Sequence, residues 1–365
     1  MTRTRVLIFG SFAPPGIPCG ITAAVNTFVT SPITEFYDLE LVSTYRRADA
    51  SRGLVQRLAF GVKLLVTTAW RAITQHADII EVHTASSRDF LKHAAVIFAA
   101  RLTNRPVMLR IHGGNFANVY ESASPGSKRL TRYLLRLPSR VVVLSNGWAE
   151  IVSRIQPQAK VTVIPNSVDC RALGEIARRR HPSASDVLLL GNLCADKGHF
   201  DMIKAAAIVV KSFPDSLFLF AGAERDKGAL QQLQSSVREL DIEANIEFLG
   251  PVFGDDKVHA LTRAGIFALP SHLENMPVSL MEAMAAGLPV VASNVGAISE
   301  MVEDKHTGLL IEARDTGGLA EALMTLLNDR QRRQEMGKAG QRTATKRWDT
   351  TVAATATEAV YRSLL

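Results

Sequence analysis

Residues 269–293 read LPSHLENMPVSLMEAMAAGLPVVAS, and this stretch passes from one buried strand through a helix into the next strand. The first apolar run ends at Pro270, and Pro277 suits the first turn of a helix. That helix ends near Gly287, where Pro289 opens the second apolar run. A strand, a helix and a second strand in close succession predict one unit of a parallel sheet.

The same alternation of short apolar runs and helical stretches extends over the whole chain. Alternating strands and helices are typical of doubly wound parallel sheets that are covered on both faces. Ligands of such sheets bind at the carboxyl ends of the strands, so two of these domains facing each other would enclose a cleft. The predicted strands cover residues 5–10, 39–43, 78–83, 107–111, 141–144, 161–164, 187–191, 217–221, 246–249, 266–269, 289–292 and 308–311.

The domain organisation follows from length and from one break in the pattern. A chain of 365 residues predicts about two domains. The polar, Pro- and Ser-containing segment 171–185 separates the two sets of strands. We therefore predict an N-terminal domain over 1–170, a linker over 171–185 and a second domain over 186–347. A C-terminal helix follows over 348–365, and whether it packs back on the N-terminal domain stays open at this point.

Composition excludes several classes of protein and divides the chain by charge. With 47% hydrophobic and 21% charged residues, the chain is neither disordered nor a collagen. Residues 1–180 contain 24 Lys and Arg against 11 Asp and Glu, a net charge of +13. The remaining residues contain 18 against 24, a net charge of −6. Opposite charge on the two halves indicates that they have different partners.

Cysteine usage and hydropathy favour a cytoplasmic protein. Cys19, Cys170 and Cys194 are widely and irregularly spaced, which indicates neither a disulfide framework nor a thiolate metal site. The N-terminal apolar run passes directly into a Pro/Gly turn, as a first strand does and a signal peptide does not. The apolar run 58–70 is too short to cross a bilayer, and we interpret it as a buried helix rather than a membrane-dipping one.

The acidic half carries a candidate anion site and a pair of glutamates. Residues 191–198 read GNLCADKG between a strand and a helix, where backbone N–H groups and Lys197 suit a phosphate. Neither a P-loop nor a dinucleotide fingerprint is present. Glu274 and Glu282 lie eight residues apart, and carboxylates accept hydrogen bonds from the vicinal hydroxyls of ribose and hexose. The residues alone leave a nucleotide-sugar site and a solvated pair of glutamates both open.

The stretch from Glu274 to Ser293 closely resembles the E-x7-E region of retaining GT-B glycosyltransferases of family 4. The resemblance implies a GT-B fold, with two Rossmann-like domains facing a central cleft. It also implies transfer of a hexosyl unit from a UDP- or GDP-sugar to a hydroxyl of a glycan or polyprenyl-linked acceptor, in cell-surface polysaccharide or glycolipid synthesis. Further matches follow in order along the chain at residues 19–21, 111–114, 143–145, 164–169, 191–198, 220–222, 248–250 and 308–310.

The resemblance also implies a role for each matching residue. Glu282 would hold the ribose, Glu274 the donor sugar, and Lys197 the leaving diphosphate. His112 would face the reacting sugar carbon, which makes His112, Lys197 and Glu274 the catalytic candidates. The candidate donor-binding residues are Gly20, Asn192, Lys197, Glu274, Asn275, Met276, Pro277, Val278, Ser279 and Glu282, and those of the acceptor side are His83, Ser86, Gly113 and Gly114.

Two positions depart from the usual pattern of this family. Asn192 stands where many relatives have Arg, so one positive charge on the diphosphate is missing. Cys19 stands in place of a Gly beside Gly20, which makes the loop after the first strand less permissive. Lys197 would then carry more of the charge neutralisation, unless an Arg from elsewhere substitutes.

The implied chemistry is retention of anomeric configuration without a metal or a cofactor. The chain has no Asp-x-Asp motif, the usual metal-binding motif of the other large glycosyltransferase fold. Retention by double displacement would need a carboxylate nucleophile, for which Glu274 is the only obvious candidate, and the resemblance implies that Glu274 binds the sugar instead. We therefore favour front-face attack, with the leaving phosphate oxygen taking the proton of the acceptor hydroxyl.

The basic half contains an amphipathic helical stretch over residues 128–140. Arg129, Arg132 and Arg136 are spaced to share one helical face, and Leu130, Leu134 and Leu137 to share another. This pattern indicates either an anionic membrane surface as partner or an ordinary solvated basic face.

Two other functions are alternatives to glycosyl transfer. A nucleotide-sugar epimerase on the same fold stays open. A basic nucleic-acid-binding protein is the alternative from a different class. The chain lacks interleaved aromatic residues and the motifs of the known nucleic-acid-binding modules, so we expect no nucleic acid as partner.

Overall fold

The computed structural model describes residues 3–14, 20–45, 54–84, 87–114, 116–179 and 185–365. The chain forms two compact units. The N-terminal unit consists of Met1–Asn166 together with Thr350–Leu365, and the C-terminal unit consists of Ser167–Asp349. Within the described ranges, twelve strands form two six-stranded sheets, and every strand pairs in parallel with its neighbours.

The sheet of the N-terminal unit has its topological switch point between its first and third strands. Its strand order is β2–β1–β3–β4–β5–β6, so the chain leaves β1 and β3 in opposite directions. In open parallel sheets, ligands bind at the carboxyl ends of the strands at such a point. The strands are β1 (Thr4–Gly10), β2 (Tyr37–Ser43), β3 (Ile79–Thr84), β4 (Val107–Ile111), β5 (Arg140–Val143) and β6 (Val161–Val163).

Helices cover both faces of this sheet, which explains why its strands are continuous apolar runs. The helices after α1 pack on one face, where they share a core with alternate residues of the sheet. The first helix packs on the opposite face. The helices are α1 (Gly20–Val29), α2 (Leu54–Thr74), α3 (Ser87–Leu102), α4 (Phe116–Glu121), α5 (Pro125–Arg136) and α6 (Asn146–Ile155).

The sheet of the C-terminal unit repeats this construction with the order β12–β11–β10–β7–β8–β9. Its switch point lies between β7 and β10. The strands are β7 (Asp186–Leu190), β8 (Phe218–Ala221), β9 (Ile246–Gly250), β10 (Ala264–Leu269), β11 (Val290–Ser293) and β12 (Gly308–Ile311). Each strand of the described chain lies within about two residues of its predicted ends, so the prediction of two doubly wound parallel sheets is confirmed.

Helices of the C-terminal unit divide between the two faces of its sheet. The helices α8, α9 and α13 share one core with the sheet, whereas α7, α10, α11 and α14 pack against one another. The helices are α7 (Cys170–Arg179), α8 (His199–Val209), α9 (Ala229–Glu239), α10 (Gly254–Arg263), α11 (Val278–Ala285), α12 (Ile298–Met301), α13 (Thr316–Asn328) and α14 (Arg330–Trp348).

The structure differs from the predicted linker over 171–185. Residues 171–179 belong to α7, which lies in the C-terminal unit and packs against α10, α11 and α14. Ile176 is buried on the inner side of this helix, and Arg178 and Arg179 occupy its last turn, where cations interact favourably with the helix dipole. A strongly amphipathic helix therefore has the polar composition that suggested a linker. Residues 180–184 lie outside the described residues.

The C-terminal segment returns to the N-terminal unit. Helix α14 ends at Trp348, and α15 (Thr350–Leu364) begins at Thr350, close to the predicted start of the C-terminal helix at residue 348. Helix α15 packs on the same face of the sheet as α1. Its Tyr361 is fully buried, with the ring centroid 5.0 Å from that of Tyr37.

Helix α2 exposes an apolar outer side, so it is not the buried helix that we predicted. Its inner side buries Leu64, Thr68 and Ala72 against the sheet. Four apolar side chains at helical spacing are exposed on its outer side, namely Val62, Val66, Trp70 and Ile73. Among the residues that the structure describes, no helix combines the length and apolarity needed to cross a bilayer.

Candidate active site

The carboxyl edge of the C-terminal sheet brings together two loops that leave its switch point. One loop follows β7 and carries Lys197, and the other follows β10 and carries Glu274. The Lys197 ammonium is in direct contact with Glu274 Oε1. The Ser271 hydroxyl donates a hydrogen bond of 3.0 Å to the same oxygen. The side chain of Glu274 is 8% exposed, so a carboxylate and its cation meet where a ligand of such a sheet binds.

Two glycines in the left-handed region let these loops approach closely. Gly198 has a φ of +70°, and a Cβ there would lie 1.9 Å from the carbonyl oxygen of Pro270. Gly296 has a φ of +59°, and a Cβ there would lie 2.1 Å from the carbonyl oxygen of Glu274. Because only glycine allows both the conformation and the contact, these two residues fix the backbone on either side of the glutamate.

The second glutamate of the motif is held in the same manner. Glu282 projects from α11, and its Oε1 lies 2.6 Å from Nζ of Lys257 on α10. Both motif carboxylates therefore have a lysine partner, each drawn from a different element.

His272 anchors the loop that carries Glu274. Its Nε2 lies 2.5 Å from Oδ2 of Asp201, at the start of α8, and its backbone N–H donates to the carbonyl of Asp196 at 2.8 Å. Both contacts tie the loop after β10 to the loop and helix after β7. This histidine therefore has a structural function in the described chain.

At the carboxyl edge of the N-terminal sheet, three side chains form a continuous series of hydrogen bonds. His83 Nε2 lies 2.7 Å from Oε1 of Glu81, and His83 Nδ1 lies 2.8 Å from Nε2 of His112. The two imidazole rings stack, with centroids 4.9 Å apart and planes 23° apart. Glu81 and His83 belong to β3, and His112 follows the adjacent β4, so neighbouring strands supply the whole series.

The first member of this series, Glu81, is fully buried and is held by two further donors. Arg110 Nε donates to its Oε1 at 3.1 Å, and the Tyr361 hydroxyl donates to its Oε2. Arg110 also donates to the hydroxyl of Thr357, at 3.3 Å. Tyr361 and Thr357 belong to α15. The C-terminal helix therefore completes the hydrogen bonding of a carboxylate in the N-terminal sheet.

The protonation states at this edge follow from burial and from the neighbouring charges. Burial opposes ionisation of Glu81, but His83 and Arg110, with hydrogen bonds from His83 and Tyr361, lower its pKa to about 2. Burial lowers the pKa of His83, although Glu81 works in the opposite direction. Burial, then His83 and Arg110, hold the pKa of His112 well below its usual range, against a hydrogen bond with Asn166. An ionised glutamate thus faces two neutral histidines at neutral pH.

The predicted donor-binding residues around α11 differ in how they can contribute. Asn275, Met276 and Pro277 are buried, whereas Val278 and Ser279 are partly exposed in the first turn of the helix. Pro277 has no N–H, so its backbone cannot donate a hydrogen bond to a ligand. It fixes the backbone at the start of the helix with a φ of −68°.

The remaining predicted residues lie on loops of the two carboxyl edges or outside the described chain. Asn192 lies in the loop after β7, and Gly113 and Gly114 directly follow His112. Gly20 begins α1, and a Cβ there would meet no atom within 4 Å in the part of the chain that the structure describes. The structure therefore gives no steric reason of its own for a glycine at this position. Cys19 and Ser86 lie outside the described residues.

The basic helix is α5, and its outer face is more apolar than predicted. Arg129, Arg132 and Arg136 are exposed as expected. Leu130 and Tyr133 are exposed as well, because other residues form the inner face of the helix. These buried neighbours are Thr131, Leu134 and Leu135.

Several residues of the two edges were missed by reasoning from the sequence. Glu81 and Arg110 are charged residues inside otherwise apolar strands, and a buried charge needs a partner, so they carried a usable signal. Lys257 and Tyr361 lie in helices of ordinary composition and gave no such signal. No group of three or more His, Cys, Asp or Glu in the described ranges is arranged to hold a metal ion.

Family models match both halves of the chain. Residues 177–343 match the model described as Glycosyl transferases group 1, and residues 33–172 match the model of Glycosyltransferase Family 4. The chain is 28% identical to a glycogen synthase of Mycobacterium tuberculosis over 82% of its own length and 70% of the relative's. It is 26% identical to the UDP-Gal:alpha-D-GlcNAc-diphosphoundecaprenol alpha-1,3-galactosyltransferase of Escherichia coli, over 68% and 66% of the two chains.

A third relative and two solved structures extend this likeness. The GDP-mannose-dependent monoacylated alpha-(1-6)-phosphatidylinositol monomannoside mannosyltransferase of Corynebacterium glutamicum is 34% identical over 42% of this chain and 40% of that enzyme. Sucrose-phosphate synthase from Thermosynechococcus elongatus superimposes with a TM-score of 0.82 at 17% identity, over 99% of both chains. Anabaena Alr3699/HepE in complex with UDP-glucose gives 0.76 at 20% identity, over 98% and 99%. At these identities, the two structures establish the GT-B fold of this chain.

Replacement of Gly198 by alanine is expected to cost more stability than the same change at Gly228. Both residues have a positive φ, but a Cβ at Gly228 meets no atom within 4 Å in the described chain. Gly228→Ala should therefore lower the free energy of unfolding by about 1 to 2 kcal/mol from backbone strain alone. Gly198→Ala should cost about 1 to 3 kcal/mol more, because its Cβ overlaps a backbone carbonyl. Urea unfolding of the two variants tests this prediction. Equal losses in the free energy of unfolding would contradict the close approach of Gly198 to the carbonyl of Pro270.

Stability is expected to fall as the pH is lowered from about 8 to about 5. His83 and His112 resist protonation in the folded chain, whereas the unfolded chain takes up protons near a pKa of about 6.5. Their contribution is present above that pH and is lost below it. The free energy of unfolding, measured in urea over this range, should depend less on pH in His112→Gln than in the wild type. The exposed His306 gives a matched control, and His306→Gln should behave as the wild type.

Proposed function

Because this chain belongs to the GT-B glycosyltransferases of the family 4 type, we propose that it transfers a hexosyl unit from a UDP- or GDP-sugar to a hydroxyl of a glycan or lipid-linked acceptor. One observation carries the proposal, namely the contact between Lys197 and Glu274 at the switch point of the C-terminal sheet. A cation for phosphates and a carboxylate for sugar hydroxyls there meet the two needs of a nucleotide-sugar site.

The donor is bound by the C-terminal unit in this proposal. Glu282 accepts hydrogen bonds from the ribose hydroxyls, and Glu274 accepts them from the transferred sugar. The N-terminal turn of α11 and Lys197 meet the diphosphate between them. Lys257 holds Glu282 before the donor arrives. It also adds a positive charge, which partly offsets the presence of Asn192 where many relatives have Arg.

Transfer proceeds with retention and without a metal or cofactor. The bond between the anomeric carbon and the diphosphate oxygen breaks while the acceptor oxygen bonds to the same face of the sugar. The proton of the acceptor hydroxyl passes to the leaving phosphate oxygen. Double displacement is disfavoured because Glu274 shares Oε1 with Lys197 and Ser271, which weakens it as a nucleophile. Catalysis then rests on positioning and on stabilisation of the departing diphosphate, with His112 in contact with the transferred sugar.

The acceptor is bound by the N-terminal unit and is linked to a lipid at the inner face of the cell membrane, in synthesis of a surface polysaccharide or glycolipid. The names of two relatives, which specify a diphosphoundecaprenol and a phosphatidylinositol acceptor, support this assignment. The positive charge of residues 1–180 supports an anionic surface as partner.

Three adjacent helices support the proposal of a membrane contact. Helix α3 packs against both α2 and α5, and the ring of Phe98 on α3 lies 6.4 Å from that of Tyr133 on α5. The outer side of α2 presents its four exposed apolar residues, of which Trp70 is 68% exposed. The outer side of α5 presents three arginines. Apolar and basic side chains on neighbouring helices suit insertion at an anionic lipid headgroup region.

Binding of the donor is tested by a thermal-shift screen with UDP-, GDP- and ADP-sugars. One of them, at about 100 times its Kd, should stabilise the chain by about 2.7 kcal/mol. Glu282→Gln should lose this stabilisation, whereas Glu321→Gln, at an exposed position of the same unit, should keep it. No shift with any nucleotide sugar would contradict the proposal.

Lys197→Ala is expected to lower kcat by about 100- to 1000-fold, because one charge that stabilises the leaving diphosphate is lost. Transfer is measured with the donor that the screen identifies. The control is Lys204→Ala, which removes an exposed lysine of α8 and should leave kcat at the wild-type value. Equal rates for the two variants would exclude Lys197 from the reaction.

The membrane surface is tested by co-sedimentation with vesicles of phosphatidylcholine, with and without phosphatidylglycerol. Trp70→Ser should weaken binding to the anionic vesicles by about tenfold or more, because one large apolar side chain no longer inserts. The matched pair is Val66→Ser on α2 and Val352→Ser on α15, both exposed valines, of which only the first should weaken binding. Equal binding to neutral and anionic vesicles would contradict the role of the α5 arginines.

A further inference from the structure

In the hydrogen-bonded series Glu81–His83–His112, the donor and the acceptor of each bond are determined, and the proposed function assigns no role to Glu81 or His83. We propose that Glu81 and His83 are positioning residues that fix the tautomer and the ring orientation of His112 for glycosyl transfer. This inference rests on the proposed function in one respect, namely that His112 contacts the transferred sugar. The series itself lies within the N-terminal unit and is open to measurement without any substrate.

The direction of the series follows from the one charged member. An ionised carboxylate only accepts hydrogen bonds, so His83 must present its proton on Nε2 toward Glu81. A neutral imidazole carries one N–H, and Nδ1 of His83 is therefore an acceptor. His112 then donates from Nε2 across the 2.8 Å contact. The Asn166 amide, which offers both a donor and an acceptor, meets either tautomer of His112, so the tautomer is decided by His83.

The anchor of the series is unusually well fixed. Glu81 is fully buried, and it receives Arg110 from the neighbouring strand and Tyr361 from α15. Removing one partner of such a buried pair leaves the other charge unpaired, so Glu81 and Arg110 hold each other in place. The charged and titratable groups around His83 are thus Glu81 on β3, Arg110 on β4 and His112 directly after β4. Tyr361 is linked to His83 through Glu81, to which its hydroxyl donates.

The orientation of the two rings is set by packing. The rings of His83 and His112 stack, and the ring of Phe12 meets His83 edge-on at 6.0 Å. His83 is 2% exposed, which leaves it no room to turn. A histidine with a fixed tautomer and ring plane presents the same hydrogen-bonding group to a sugar at every turnover, whereas one that exchanges between tautomers presents it for part of the time.

Two conservative variants of His83 separate positioning from simple space filling. In His83→Gln, the side-chain amide reaches the position of Nε2 and keeps a partner for Glu81, but the link to His112 is lost. In His83→Asn, the amide reaches the position of Nδ1 and keeps the link to His112 but not to Glu81. Both variants should lower kcat by about 10- to 100-fold, the usual effect of removing a partner that orients a reacting group. KM for the donor, which the C-terminal unit binds, should stay within about twofold. Wild-type kcat in His83→Gln would overturn the proposal.

The tautomer itself is measured by NMR on the full chain labelled with ¹⁵N-histidine. At neutral pH, the wild-type His112 should show a single neutral tautomer with its proton on Nε2. In His83→Gln it should show both tautomers in exchange. A wild-type His112 that is protonated on Nδ1, or that exchanges, would overturn the proposal. Because this readout needs no donor, it stands or falls separately from the failure of glycosyl transfer.

A matched pair of tyrosine variants tests the anchor. Tyr361→Phe removes the hydroxyl that donates to Glu81, whereas Tyr37→Phe removes that of the neighbouring tyrosine, whose partner is Arg362. The kcat of Tyr361→Phe should lie between those of the wild type and His83→Gln, with His112 in partial exchange. Tyr37→Phe should match the wild type in both measurements. Equal values for the two variants would overturn the assignment of Glu81 as the anchor.

Discussion

The contact between Lys197 and Glu274 joins the two loops that leave the switch point of the C-terminal sheet. A carboxylate that is nearly buried needs a partner, because an unpaired charge in such a position costs several kcal/mol. The cation comes from the other loop, so the pair favours the arrangement in which the two loops meet. Gly198 and Gly296 permit that arrangement by admitting backbone where a side chain would clash. The helix that carries Glu282 starts from the end of the same loop.

The N-terminal unit depends on a pairing of the same kind, and there the partner is remote in sequence. Glu81 lies in the middle of a buried strand, and its two oxygens are occupied by His83, Arg110 and Tyr361. Because Tyr361 belongs to the last helix, the edge that carries His112 is complete only when the C-terminal segment has docked. The end of the chain thus supplies a hydrogen-bond donor to a carboxylate in its first half, and a charge that would be destabilising alone is held by its partners.

The sequence predicted the sheets well because a strand buried on both faces is a continuous apolar run, and such runs can be read without knowledge of the fold. It singled out Lys197 because this residue lies in a glycine-containing turn between a strand and a helix, and it singled out Glu274 and Glu282 through the resemblance of residues 274–293 to a family motif; their roles stay predictions. It did not predict α7 as a helix, since a strongly amphipathic helix and a polar linker have similar compositions. The pairing of Lys257 with Glu282, and of Tyr361 with Glu81, depends on contacts between distant elements, which local pattern does not encode.

The assignment of Glu274 to the transferred sugar is tested most directly by calorimetric titration. The free nucleoside diphosphate and its sugar conjugate are titrated separately into the wild-type chain and into Glu274→Gln. If Glu274 holds the transferred sugar, the variant should bind the sugar conjugate no more tightly than the diphosphate. Its affinity for the diphosphate should be unchanged or higher, because Lys197 is released from its carboxylate partner. An equal loss of affinity for both ligands would contradict the account.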